Sequence, residues 1–197
     1  MYKPLDDEMF KLPTLELAKK LIGCYLVHEI DGVRLVGRIV ETEAYQGPED
    51  KAAHSYNLRR TKRTEVMYHE PGLVYTYQMH THTLINVVSG PVDVPHAVLI
   101  RAIEPVEGIE RMRKNRGKKF RDKDLTNGPG KLTKAMEITM DYYGHDLRKK
   151  PLYIAEGKPE GEIASSTRIG IQNSGEAAHY PWRFFEKGNV FVSGKCR

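Results

Sequence analysis

Val36–Ser55 reads VGRIVETEAYQGPEDKAAHS, and its first ten residues decide the fold. Apolar and polar residues alternate there with the two-residue period of a strand. On such a strand Glu41, Glu43 and Tyr45 project to one side, with Gly37 and Ile39 behind them. Thr42 and Ala44 face the other way. Just upstream, Asp31-Gly32 is a two-residue hairpin signal, so Val33–Tyr45 is expected to return antiparallel to Cys24–Ile30. Two acids on a sheet face need a reason. One reason is a solvated edge, or an acid paired with an arginine. The other is a general base beside an aromatic wall. Alternation by itself leaves both reasons open and leaves both acids as candidates.

Working outward, Leu15, Leu17, Ala18, Leu21 and Ile22 follow helical spacing, with Thr14 as a cap and Gly23 as an end. Residues 1–12 are expected to form an N-terminal arm. Leu73–Met79 alternates as a strand, turns through His80-Thr81-His82-Thr83, and resumes at Leu84–Val88 as a protruding β-hairpin. Ala97–Ile103 is almost wholly apolar, as a central strand is, with Arg101 as its one interruption. Helices are expected over Val106–Arg113 and Lys131–Ile138. Strands are expected at Leu152–Ala155, Thr167–Ile171 and Asn189–Ser193, and a loop over Gly157–Ser166. Strands outnumber helices and are joined mostly by hairpins. The expected fold is α+β: one domain over residues 1–197, built around a curved, mainly antiparallel β-sheet with flanking helices.

The chain has 197 residues, enough to bury a sizeable core, and an ordinary hydrophobic share of 40%. No apolar run approaches bilayer length, and the N-terminus lacks an apolar h-region. No membrane partner and no signal peptide are therefore expected. Cys24 and Cys196 lack metal-ligand spacing and are expected to be reduced thiols. The net charge is +5, and it is concentrated. Arg111–Lys123 holds eight Lys or Arg and one Asp, more than the whole excess. Such a segment is either a solvated loop or a seat for a polyanion.

No Walker loop, GxGxxG or nucleophile elbow is present. His80-x-His82 would align two imidazoles on an extended strand, but no third ligand lies nearby, so neither metal nor cofactor is expected. What remains is a pair of carboxylates, an arginine on a buried strand, several tyrosines and a basic segment. A central-strand arginine needs an anion, and Glu41 or Glu43 is its natural partner. Tyr45, Tyr75 and Tyr77 can build a flat slot. A slot, a base and a polyanion seat together suggest chemistry on a flipped nucleobase. Two other classes compete. A nucleic-acid module without chemistry would keep the basic segment alone. A sugar hydrolase would use Glu41 and Glu43 as an acid/base pair, about 7 Å apart along the strand; the basic segment argues against it.

The run GRIVETEAYQGPEDKAAHS (Gly37–Ser55) resembles the signature of the alkyladenine (3-methyladenine) DNA glycosylases. The likeness continues in order through PGLVYTY (Pro71–Tyr77), VLIRAIEPVEG (Val98–Gly108), LTNGPGKL (Leu125–Leu132) and RIGI…GE (Arg168–Glu176). The resemblance implies a monomeric, cofactor-free hydrolase acting on alkylated or deaminated purines in damaged double-stranded DNA. It implies a cytoplasmic protein of bacterial type that reaches the nucleoid through DNA. By position it makes Glu43 the general base that activates water, with Arg101 and the Ile169 backbone carbonyl holding that water. Tyr45, His54 and Tyr77 resemble the residues that sandwich and hydrogen-bond the flipped base. Asn86 resembles the asparagine that crowds the amino group of guanine. Arg59, Arg60, Lys62 and Arg63 are expected at phosphates, beside Arg111–Lys123. At the hairpin tip the family commonly has a wedge tyrosine followed by glycine; here Gln78-Met79-His80-Thr81-His82 stands instead, so His80 or Met79 is the expected wedge.

Overall fold

Asp31 and Gly32 both take left-handed backbone, with φ of 51° and 73°. Two such residues in succession close a tight hairpin whose twist matches its strands. The hairpin joins β1 (Tyr25–Ile30) to the 14-residue β2 (Val33–Gln46). The computed structural model describes residues 2–117 and 120–194. Beyond β2, the strands are β3 (Val74–Met79), β4 (His82–Ser89), β5 (His96–Glu107), β6 (Leu152–Ala155), β7 (Ile163–Ser166) and β8 (Arg183–Glu186). They form one antiparallel sheet in the order β3-β4-β5-β2-β1-β6, with β8 beside the second half of β2 and β7 beyond β8. The fold is α+β, as expected.

β2 organises this sheet because it changes partners along its length. It pairs with β1 up to Arg38, then with β8 from Glu41 to Glu43, while β5 follows its other edge. At the changeover the β2–β5 register slips twice. Ile39 faces Ile103, Glu41 faces Ala102 and Thr42 faces Ile100. Val40 on β2 and Arg101 on β5 are therefore extra residues in back-to-back bulges, which re-aim the side chains around them. This corrects strict alternation. Ile39 packs with Ala44, Ile100 and Ile103 on the helix side, while Val40 packs with Ala102 and Phe185 on the acid side. Gly37 also faces the helices: a Cβ there would lie 2.3 Å from the Ile103 side chain.

The main core lies between the sheet and four helices, α1 (Asp7–Phe10), α2 (Thr14–Lys20), α3 (Ile109–Arg116) and α4 (Pro129–Ala135). Leu17 and Ala18 from α2 and Leu132 and Ala135 from α4 are fully buried there. The expected N-terminal arm is instead docked: Leu5 N–H donates to the Ile154 carbonyl at 2.9 Å, and Phe10 is fully buried. Thr14 is the first helical residue rather than a cap. Its hydroxyl pairs with His96 Nδ1 at 3.0 Å and accepts from Ser89 at 3.1 Å.

Other boundaries also moved. β5 runs on through Glu107, so α3 begins at Ile109 rather than Val106. Ile163–Ser166, expected as loop, pairs with β8. Thr167–Ile171 is not a strand, because Arg168 turns inward to Asp50 and Gly170 takes φ 81°. Asn189–Ser193 is not a strand either; the Asn189 side chain folds it by accepting Phe191 N–H at 2.9 Å. Cys24 is buried, whereas Cys196 and the centre of the basic run, Lys118-Lys119, lie outside the described residues. Among the described residues no helix is long and apolar enough to cross a membrane.

Candidate active site

The two acids of β2 are both fully buried, and both touch Arg101. Glu43 Oε1 accepts the Ile169 backbone N–H at 2.7 Å, and Oε2 accepts the Tyr45 hydroxyl at 2.7 Å. Arg101 Nη1 stands 3.3 Å from the same Oε2. Glu41 is held more tightly. Its Oε1 accepts Arg183 Nε at 2.7 Å, Ser193 Oγ at 2.8 Å and Arg101 Nε at 3.0 Å. Its Oε2 accepts Ser193 N–H at 2.6 Å. Burial pulls the Arg101 guanidinium down, but Glu43 and then Glu41 outweigh it and hold the group above its ordinary value.

Tyr45, Arg101 and Ile169, the three residues that hold Glu43, line a cavity of about 460 Å³. Tyr45, His54, Tyr77, Asn86, Leu99 and Arg101 are among its walls, so five of the expected site residues converge here from β2, β3, β4, β5 and the loop after β2. Ile169 reaches the same cavity from the segment between β7 and β8. Such a cavity is the size of a small-ligand pocket. Tyr75 and Tyr77 stack at 5.6 Å with 29° between their rings, and His54 meets Tyr77 edge-on at 4.6 Å. His54 Nδ1 lies 2.7 Å from the Tyr75 hydroxyl. Burial, then the charges of Arg63 and Arg59, push the imidazole down to about 4, so it is neutral at pH 7. Burial and then Glu43 push the Tyr45 phenol up, which keeps its proton as a donor to Glu43. Asn86 Nδ2 donates to the Tyr75 carbonyl at 3.0 Å, which fixes the amide at the wall.

The hairpin tip rises from the rim. Met79 lines the cavity edge and is 46% exposed. His80 is exposed in a left-handed turn, φ 54°, so His80 and His82 do not share an extended segment. α4 braces the hairpin from below: a Cβ on Gly130 would lie 2.7 Å from the His82 side chain, and Thr133 Oγ1 donates to the Thr83 carbonyl at 2.6 Å. Among the described residues no three His, Cys, Asp or Glu side chains cluster as a metal would require.

The basic residues divide. Arg60 is held by Glu65 at 2.7 Å and Asp93 at 3.2 Å, and lies over the Tyr68 ring. Arg111 bonds Glu137, Arg113 bonds Asp122 and Arg121 bonds Asp124. Arg59 and Lys62 are exposed. Arg63 turns to the cavity, where its Nε donates to the Tyr75 hydroxyl at 3.3 Å.

Several functional neighbours escaped the sequence reading. Arg183 and Ser193 close the shell around Glu41. Arg183 lies on a strand with Phe184 and Phe185, the same charge-among-apolar signal that singled out Arg101. Arg168 and Asp50 form a fully buried pair with contacts of 2.5 and 2.8 Å. The Arg168 guanidinium lies 4.6 Å from the Tyr45 ring centre and 5.1 Å from that of Trp182. No local pattern joins residues so far apart in the chain.

This geometry has relatives. Residues 8–190 match the family described as methylpurine-DNA glycosylase. A protein of Bacillus licheniformis named "Putative 3-methyladenine DNA glycosylase" is 62% identical over 193 residues, covering 98% of this chain and 97% of its own. Proteins of the same name from Bacillus velezensis and Bacillus subtilis are each 55% identical, over 191 and 190 residues. They cover 97% and 96% of this chain, and the same shares of their own. The chain belongs to the methylpurine-DNA glycosylase family, and is thus a DNA glycosylase of base-excision repair that acts on alkylation damage.

Proposed function

We propose that this family member hydrolyses the N-glycosidic bond of 3-methyladenine, 7-methylguanine, hypoxanthine and ethenoadenine in double-stranded DNA. It acts as a single-domain monomer without a cofactor and leaves an abasic site. The observation that carries this reading is the Glu43 carboxylate, held by Tyr45, Arg101 and Ile169, three residues that line an aromatic cavity. It is fully buried, with one guanidinium and two neutral donors on it. Those donors leave lone pairs on the carboxylate for the proton of a water.

The damaged nucleotide flips out of the duplex, and its base lies between Tyr45 on one side and Tyr77 with His54 on the other. Arg101 and the Ile169 carbonyl hold the water. Glu43 takes a proton as the oxygen bonds to C1′, and the electron pair of the broken bond leaves with the base. A 3- or 7-alkylated purine departs neutral because it carries a positive charge beforehand. Hypoxanthine must gain a proton as it departs. Asn86 crowds the amino group of guanine and so rejects the commonest competitor. Met79 or His80 fills the gap in the stack. Arg59, Arg60 and Lys62 contribute at phosphates, so affinity falls steeply with salt, whereas Arg63 turns into the cavity.

Glu41 argues against a two-carboxylate sugar hydrolase, because both of its oxygens are engaged by Arg101, Arg183 and Ser193. The test uses duplex oligonucleotides carrying each of the four lesions, followed by alkali. Breaks with wild type and almost none with Glu43→Gln are expected. Equal breakage by both overturns Glu43 as the base. DNA binding without breakage on any lesion favours a module that lacks chemistry. Lys51 lines the cavity, so borohydride trapping checks the monofunctional reading: a covalent enzyme–DNA adduct would contradict it.

A further inference from the structure

Each aromatic wall of the cavity carries a guanidinium. Arg168 covers Tyr45 at 4.6 Å, and Arg63 covers Tyr77 at 5.4 Å. The two differ in their counter-charge. Arg168 is fully buried and bonded to both oxygens of Asp50, so its charge is balanced on the spot. Arg63 is exposed at the cavity, and among the described residues no carboxylate pairs with it. Its side chain donates to the Tyr75 hydroxyl at 3.3 Å, itself bonded to His54, and its backbone carbonyl accepts from the Tyr143 hydroxyl at 3.2 Å.

This arrangement bears on which bases the slot accepts. A tyrosine face attracts a cation through one quadrupole. Where Arg63 is in place, it takes that attraction from Tyr77, and its unbalanced charge repels a second cation at the same ring. A neutral purine keeps its stacking and suffers no such repulsion. Bare tyrosine walls would favour a cationic alkylpurine; the walls as built do not.

We propose that Arg63 is a specificity-determining residue, which weights the slot toward neutral purines such as hypoxanthine and against cationic ones such as 7-methylguanine. This rests on the functional reading above and adds the residue that sets the balance between its two substrate classes.

The test compares wild type, Arg63→Gln and Arg63→Lys in single-turnover release of hypoxanthine and of 7-methylguanine from otherwise identical duplexes. Glutamine removes the charge and keeps a donor for Tyr75. Lysine keeps the charge. The ratio of 7-methylguanine to hypoxanthine release should rise about threefold in Arg63→Gln, the size of an exposed cation–π contact. In Arg63→Lys it should stay near the wild-type ratio. Arg63 is exposed, so thermal unfolding of both variants should match wild type. Equal loss of both activities in Arg63→Gln, with the ratio unmoved, makes Arg63 a plain phosphate contact and overturns the proposal. A ratio that shifts equally in both variants also overturns it, because the charge would then not be the cause. If wild type releases neither base, or Glu43→Gln releases both at the wild-type rate, the functional reading fails first and this proposal with it.

Discussion

Glu41 and Glu43 stand two residues apart on one strand, both fully buried and both touching Arg101. Their surroundings differ in one respect that decides their roles. Glu41 is enclosed by two guanidiniums and by the backbone and hydroxyl of Ser193. Glu43 has a single guanidinium at 3.3 Å, a phenol and one amide N–H, and all three donors belong to residues that line the cavity. A carboxylate clamped by four fixed donors, two of them guanidiniums, holds the fold together. One that is charge-balanced but incompletely occupied is available to take a proton. Neither burial nor the presence of an arginine separates the two acids; the number and kind of donors does.

The sharpest way to break this contrast is to neutralise each acid in turn. Glu43→Gln should lower single-turnover base release about 10²- to 10⁴-fold, with urea unfolding close to wild type. A loss below tenfold would remove the contrast. Glu41→Gln should do the reverse. It leaves Arg101 and Arg183 buried with one carboxylate fewer, at a cost of about 3–5 kcal/mol in unfolding free energy. Adding Arg183→Met should recover part of that loss, because the uncompensated charge goes with it. A Glu41→Gln protein as stable as wild type would show that the shell is not structural.

A smaller effect sharpens the Glu43 side. Tyr45→Phe keeps the ring and deletes the hydroxyl at 2.7 Å. Hydrogen bonds to charged groups contribute about 1.5–3 kcal/mol, so base release should fall about ten- to a hundredfold. Lesion affinity, measured with Glu43→Gln also present to prevent turnover, should change little.

A last test probes the cavity wall by pH. His54 titrates at about 4 in the folded chain, pushed down by burial and then by Arg63 and Arg59. An unfolded histidine titrates near 6.5. Between those values the unfolded state binds the extra proton, so stability falls as pH drops from about 6.5 toward 4 and is fully present above that window. His54→Gln should flatten this part of the stability–pH curve. An unchanged slope would place the imidazole in a less buried setting than the structure gives it.

Much of this was legible in the chain. Alternation through β2, the Asp31-Gly32 turn and the apolar β5 predicted three central strands and the antiparallel pairing of the first two, while the pairing of β5 with β2 came from the structure. Arg101 was found because an arginine in an apolar strand must meet an anion. The ordered motifs from Gly37 to Glu176 identified the family, and residues 8–190 match it. The errors have a common origin. Residues 1–12 were read as an arm because their apolar residues are few and widely spaced, although buried Leu5 and Phe10 and the Leu5–Ile154 hydrogen bond dock them. β7 and β8 were missed because short paired strands draw their stability from each other rather than from local pattern.

The sequence by itself determined the central strands of the sheet and the family, and singled out a short set of candidate residues, because periodicity and residue type act over a few positions. Only the tertiary structure decided how those residues are used. The paired bulges at Val40 and Arg101 arise where β2 exchanges β1 for β8, and they place Arg101 between both acids. The donors that occupy Glu41, from Arg183 and Ser193, come from about 150 residues further along the chain. The cations on Tyr45 and Tyr77 likewise come from separate loops. Hydrogen bonds and charges act through space over a few ångströms, so which carboxylate is left free to react is settled only when distant segments meet.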